Sequence, residues 1–360
     1  MLQSYLFPIS FAFLTFPIAA LFFTLPFLIV QYRKHGYINK YRAILLYLFL
    51  LYMMNAFYLV ILPLPATIHN KPLHVSSYMQ LIPFHFIQDI IRETSVEIDR
   101  PATYIRLLKE RAFLQVMFNV LLLVPFGIFL RYYFRVNWVK CLFASLGLSL
   151  FFEITQVTGI FGIYDYLYRF FDVDDLLTNT AGGMAGYIAS EWLSRHLPRV
   201  DKLDENLDLT KKRVSYTRRA LAFLIDWLIL MPILIVLVLL DAPYPYVTIT
   251  VIYFIGITYA TNGLTAGKWV VRIRLKGSGE RIKLSELVIR YGLLYLLAGV
   301  MNVFYIWAGI NQLPALFLIA YTLGLFGFNL LCAIHLLRCV FNLKRHLFYE
   351  AKSGTSHVIS

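Results

Sequence analysis

Charge is scarce in this chain: Asp, Glu, Lys and Arg make up 15% of its 360 residues, where soluble domains carry about 25%. Cysteine is scarcer still. Cys141, Cys332 and Cys339 all sit in apolar runs. The last two are seven apart on one expected helix, roughly 10 Å along its axis, too far to bridge. No disulfide framework and no metal-type spacing of His and Cys exists, so no cofactor is expected. No Ser/His/Asp or Cys/His arrangement is present to activate a nucleophile, so the reading leans away from an enzyme. The start lacks the basic leader and short apolar core of a cleaved signal peptide, which makes the first apolar run a membrane span.

Apolar side chains are what the chain has in excess. Hydrophobic residues make up 59% and aromatics 17%. Long apolar runs recur from end to end, so the fold class is all-α: a polytopic helical membrane protein with about nine transmembrane helices in two modules. Spans are expected at 6–30, 42–62, 112–130, 139–158, 174–193, 219–240, 244–260, 286–309 and 313–341. Net charge is +13, which in a soluble chain suggests nucleic acid. Here the basic residues fall in short loops between spans, where they set orientation instead. No nucleic-acid partner is expected. An outer amino terminus leaves seven of the 33 Lys and Arg outside, six of them in the charge-balanced segment 66–111. The expected location is thus the bacterial cytoplasmic membrane, multi-pass, with the carboxyl terminus cytoplasmic. Membrane lipids are the expected partners, with anionic headgroups at the cytoplasmic loops. Oligomeric state is left open.

Within 66–111, Phe84, Phe86, Ile87, Ile90 and Ile91 alternate with polar groups, as in an interfacial or re-entrant segment. His85 reads as an interface residue there.

Chemistry concentrates in 151–187, FFEITQVTGIFGIYDYLYRFFDVDDLLTNTAGGMAGY. Glu153 and Gln156 share a face near the end of one helix. Asp172, Asp175 and Asn179 form a stripe at the start of the next, with Arg169 and Asp174 beside it. Carboxylates at a helix start act as caps, but Glu153 follows an apolar run. An ionisable residue at a membrane boundary is a functional candidate. One arginine cannot neutralise four carboxylates, so a bound cation, a cationic headgroup or a protonated acid is expected. Gly182-x-x-x-Gly186 reads as a packing surface rather than a chemical one.

The E-x-x-Q pair and the later R-x-x-D-x-D-D-x-x-x-N-x-x-G-x-x-x-G pattern resemble the VanZ-like family of membrane proteins. LIPF at Leu81–Phe84 and NVLLLVPFG at Asn119–Gly127 add to the resemblance, which covers about residues 40–195. It implies a cell-envelope protein linked to glycopeptide-antibiotic resistance, and adds Asn119 to the candidate ligand-binding set Glu153, Gln156, Arg169, Asp172, Asp174, Asp175 and Asn179. Residues 214–350 resemble the RDD family through Arg219 and Asp226, Gly267 and Lys268, and Arg290. The loop Lys276–Glu280 lacks that family's second aspartate. Arg219, Asp226, Lys268 and Arg290 are then candidate transport residues. Asp226, seven residues into a span, needs a partner on another helix, since Arg219 lies two turns away.

The domain reading is an extra amino-terminal span at 1–40, a VanZ-like domain at 41–195 and a charged linker at 196–213. An RDD-like domain at 214–345 and a disordered tail at 346–360 complete it. Three functions compete: a non-catalytic envelope protein binding a headgroup, precursor or cation; a cation- or proton-coupled transporter; and an enzyme using paired carboxylates as acid and base. The first is favoured, and the transporter is the alternative.

Overall fold

Length and composition decide the architecture before any side chain packs. The computed structural model describes residues 2–72, 78–97, 99–205, 213–310, 314–342 and 346–360. Seven of its helices are long and apolar enough to cross a membrane: Leu6–His35, Lys40–Ile61, Arg111–Tyr132, Trp138–Val157, Tyr216–Leu239, Leu284–Ile306 and Ala315–Phe341. Two further helices fill the remaining expected spans. Val173–Leu193 has the length but more polar residues, and Pro245–Ala260 is apolar but shorter. Only a minority of each span is buried by protein, which leaves apolar surface for lipid, the only solvent that accepts it.

The described chain divides into two compact units, Met1–Phe23 with Asn39–Asn206 and Thr24–Ile38 with Leu207–Ser360. The first helix, α1 (Leu2–His35), is continuous through Pro8, Pro17 and Pro26. Its two ends group with different units, so it is not the separate amino-terminal element expected at 1–40.

In the first unit, α2 (Lys40–Ile61) is capped by Asn39, whose side chain accepts from the Tyr41 and Arg42 amides. After it come β1 (Met79–Gln80) and α3 (His85–Glu93), then a 3-10 turn at Pro101–Lys109. Next are α4 (Arg111–Tyr132), α5 (Trp138–Val157), the single turn α6 (Gly159–Gly162), β2 (Phe171–Asp172) and α7 (Val173–Leu193). β1 pairs with β2 in parallel, Met79 opposite Phe171 and Gln80 opposite Asp172. The glycine reading holds at α4 and α7. A Cβ on Gly182 would stand 1.9 Å from the Val120 carbonyl oxygen, and one on Gly186 2.0 Å from that of Val124. Backbone meets backbone there, so only glycine fits.

The expected linker is partly structured. Arg42 pairs with Asp204 at 2.6 Å and donates to the Val200 carbonyl, while Arg135 pairs with Asp201 at 2.6 Å. Residues 198–204 therefore pack on the first unit, and 206–212 lie outside the described residues.

In the second unit, α8 (Tyr216–Leu239) packs against the short helix Ala266–Val270. Gly267 lets the two approach: a Cβ there would lie 2.1 Å from the Ala222 carbonyl oxygen. Aromatic rings fill the core, Phe254 stacking on Tyr295 at 4.3 Å and Trp227 on Tyr246 at 6.0 Å. Ile273–Lys276 form a strand, β3, with Ile273 and Leu275 buried and Arg274 and Lys276 exposed.

The tail does not match its expectation. Residues 348–353 form a helix and Ser356–Ile359 form β4, antiparallel to β3. Low hydrophobicity reads as disorder in sequence, yet Glu350 gives this segment a buried ionic anchor. Cys141, Cys332 and Cys339 are free thiols.

Candidate functional site

The first-unit cluster is built from helix ends. Asp172 caps α7, its side chain accepting from the Asp174 amide at 2.9 Å. That leaves the Asp172 amide to donate to Glu153 Oε2 at 3.0 Å, joining the end of α5 to the start of α7. Asp175, in the first turn of α7, accepts from Asn119 Nδ2 on α4. One turn on, Asn179 Nδ2 donates to Ser149 Oγ at 2.9 Å. Glu153, Asp172, Asp175, Asn119 and Asn179 are thus brought together by three helices.

Asp174 has a different task. Its oxygens accept from the Phe84 amide at 2.6 Å and the Phe86 amide at 2.9 Å. It therefore caps α3, whose first residues have no helical partners. LIPF, singled out by sequence, is the strand of chain that this carboxylate grips. Asp174→Asn keeps one acceptor but turns an amide donor against a backbone N–H. About 1–3 kcal/mol of stability should be lost, and hydrogen exchange should accelerate at 84–93; unchanged exchange there would refute the clamp. Gln156 also serves as a tie, its Nε2 donating to the Val60 carbonyl at 2.7 Å.

Arg169 is exposed and forms no ion pair among the described residues. It lies within electrostatic reach of Glu153 and Asp175. Burial raises the Asp172 carboxyl above its ordinary range, opposed by the Asp174 amide and reinforced by the Asp174 charge. His85, read as an interface residue, also acts on Asp172 and bonds Asp89 at 3.1 Å. Sequence reasoning missed this because His85 and Asp172 lie far apart in sequence and are brought together by the β1–β2 pairing and by the Asp174 bonds to the Phe84 and Phe86 amides. Asn179 Oδ1 and the Tyr168 hydroxyl are among the buried polar atoms that have no hydrogen-bond partner among the described residues. No group of three or more His, Cys, Asp or Glu suited to a metal ion occurs among the described residues.

In the second unit, Asp226 finds its partners on other elements. Oδ1 accepts from the Tyr253 hydroxyl and the Gly267 amide, both at 2.7 Å, and Oδ2 from Thr265 Oγ1 at 2.7 Å. Lys268 Nζ reaches Thr265 Oγ1 at 3.3 Å and the Tyr291 hydroxyl at 3.0 Å. Thr265 thus stands between the acid and the amine. Arg219 and Arg290 are elsewhere: both pair with Glu350 at 3.1 Å. The buried arginine of α8 is its neighbour Arg218, which donates to the Val271, Gly36 and Arg272 carbonyls at 2.7, 2.9 and 2.8 Å. Adjacent arginines are indistinguishable by pattern, so sequence could not say which was buried.

Residues 49–194 match the family model described as VanZ/LLP1. No curated protein and no solved structure matches the chain. The family match stops before residue 214, and nothing in these comparisons supports the RDD resemblance beyond it.

Proposed function

We propose that this multi-span protein, with its VanZ-like segment at 49–194, is a non-catalytic envelope protein. Its cluster takes the amine-bearing headgroup of a lipid or cell-envelope precursor. The observation that carries this reading is the imbalance of the cluster. Glu153, Asp172 and Asp175 lie within mutual electrostatic reach, and no cationic side chain forms an ion pair with any of them among the described residues. Like charges held in a partly buried site favour a cation or a shared proton. Asn179 Oδ1, buried without a partner among the described residues, adds a neutral acceptor. A site made of oxygens fits a ligand rich in N–H donors, which an ammonium headgroup is.

The proposed orientation places this cluster on the outer face, where such precursors are displayed. The proposed link to glycopeptide resistance follows from the family. The transport reading ranks second, because Asp226 already accepts three hydrogen bonds.

The test uses cells expressing the full chain and challenged with a glycopeptide antibiotic. Asp172→Asn should abolish any tolerance the protein confers while membrane levels stay normal. The amide keeps the cap on α7 and removes the charge. Since burial raises the Asp172 carboxyl, its ionisation costs stability as pH rises through the raised value. The variant should therefore melt higher than wild type at neutral pH, with the gap narrowing in acid. A fully tolerant, more stable variant would reduce the cluster to helix caps.

A further inference from the structure

We infer that α3 and the segment around it form a membrane-surface docking element, with the lipid bilayer itself as the partner. Connectivity comes first. α2 closes at Ile61 and α4 opens at Arg111, both at span ends, so residues 62–110 begin and finish at one membrane face. An apolar face left uncovered in a segment tied to that membrane face at both ends is suited to headgroup depth.

The side chains divide accordingly. On α3, Phe86 and Ile90 are half-buried against protein, whereas Ile87 and Ile91 are 46% and 66% exposed. Leu81, Ile82 and Phe84, just before α3, are also exposed, at 60%, 63% and 58%. The 3-10 turn adds Ile105 and Leu108 at 69% and 55%. Gln88 and Arg92, a quarter-turn round α3, are exposed and polar. Such a two-sided helix matches an interface with hydrocarbon on one side and water on the other.

Phe84 supplies the independent observation. Its φ is 64°, in the left-handed region that a bulky residue rarely enters. Asp174 holds it there through its amide, with the ring turned outward. Strain of this kind persists where the surroundings enforce it and marks a functional position. An exposed ring gains nothing in water, but acyl chains would accept it. This inference does not rest on what the acidic cluster binds.

The test uses the full chain with its three native cysteines replaced by alanine, in nanodiscs of phosphatidylethanolamine and phosphatidylglycerol. Spin labels are placed by Ile87→Cys, Ile91→Cys, Gln88→Cys and Arg92→Cys. All four positions are exposed, so each label reports its solvent. Labels at 87 and 91 should be relaxed strongly by oxygen and little by a water-soluble nickel chelate, with the reverse at 88 and 92. Equal access of the nickel chelate to all four would overturn the proposal. So would labels at 87 and 91 shielded from both quenchers, which would mean that protein, such as a second copy, covers the face.

Discussion

Replacing Glu350 with glutamine destabilises the second unit by about 3–5 kcal/mol. This carboxylate, 2% exposed, receives Arg219 at 3.1 Å and Arg290 at 3.1 Å, with His357 3.3 Å away. Glutamine keeps the shape but leaves two guanidinium groups facing each other without a counter-charge, one of them buried. Breaking one partner of a buried pair costs far more than the pair contributes. Unfolding of the purified protein in detergent measures the loss. Adding Arg290→Gln should recover part of it, since the two changes are coupled. An unchanged melting temperature for Glu350→Gln would mean that the tail is merely resting on the surface.

Acid should act on the same joint. Burial alone would raise the Glu350 carboxyl, but His357, Arg290 and Arg219 outweigh it and hold the group well below its usual range. Burial, and then Arg290, press the His357 imidazole down to about 3. Both groups therefore bind protons more readily unfolded than folded. Their contribution is present above pH 6.5 and fades as pH falls, first through the histidine and then through the carboxylate. Glu350→Gln should flatten the part of this loss that lies below pH 4.5.

The second large effect is expected at Gly182. An alanine Cβ there would lie 1.9 Å from the Val120 carbonyl oxygen and 2.8 Å from its carbon. Neither atom belongs to a side chain that could rotate aside, so α4 and α7 must separate. We expect a loss of about 3 kcal/mol, at the upper end for overpacking. Gly147→Ala is the matched control. No atom lies within 4 Å of its added Cβ, and alanine in a helix is favoured over glycine by about 1 kcal/mol. Similar melting shifts for the two variants would disprove backbone contact.

How much of this was legible follows from how far apart the partners lie in sequence. The spans, the glycine seam and the stripe of Asp172, Asp175 and Asn179 have short periods, and a helix preserves them. Asn119, suggested by family resemblance, proved to be the partner of Asp175. Glu350 stayed hidden because its arginines are 131 and 60 residues away, inside a segment whose composition resembles a solvated tail. Asp226 was visibly in need of a partner. That the partners would be Tyr253, Thr265 and a backbone amide depends on a close approach set by Gly267. Asp174 shows the opposite case: sequence grouped it with its neighbours by spacing, and its bonds commit it to α3.

The seam between α4 and α7 also decides which parts of the first unit are free to move. Two helices whose backbones touch have no compressible side chains between them, and dense packing passes displacement on instead of absorbing it. They have to travel as a single strut, pinned near one end by Asn119 and Asp175. Any shape change in the first unit is then left to elements fastened by a few hydrogen bonds. Those are α3, tied at its start by Asp174 and at its end by Glu93, which accepts from the Ala112 amide, and the chain between α6 and β2, which carries Arg169 and is joined to the segment after α2 by the Asp165 amide on the Ile68 carbonyl.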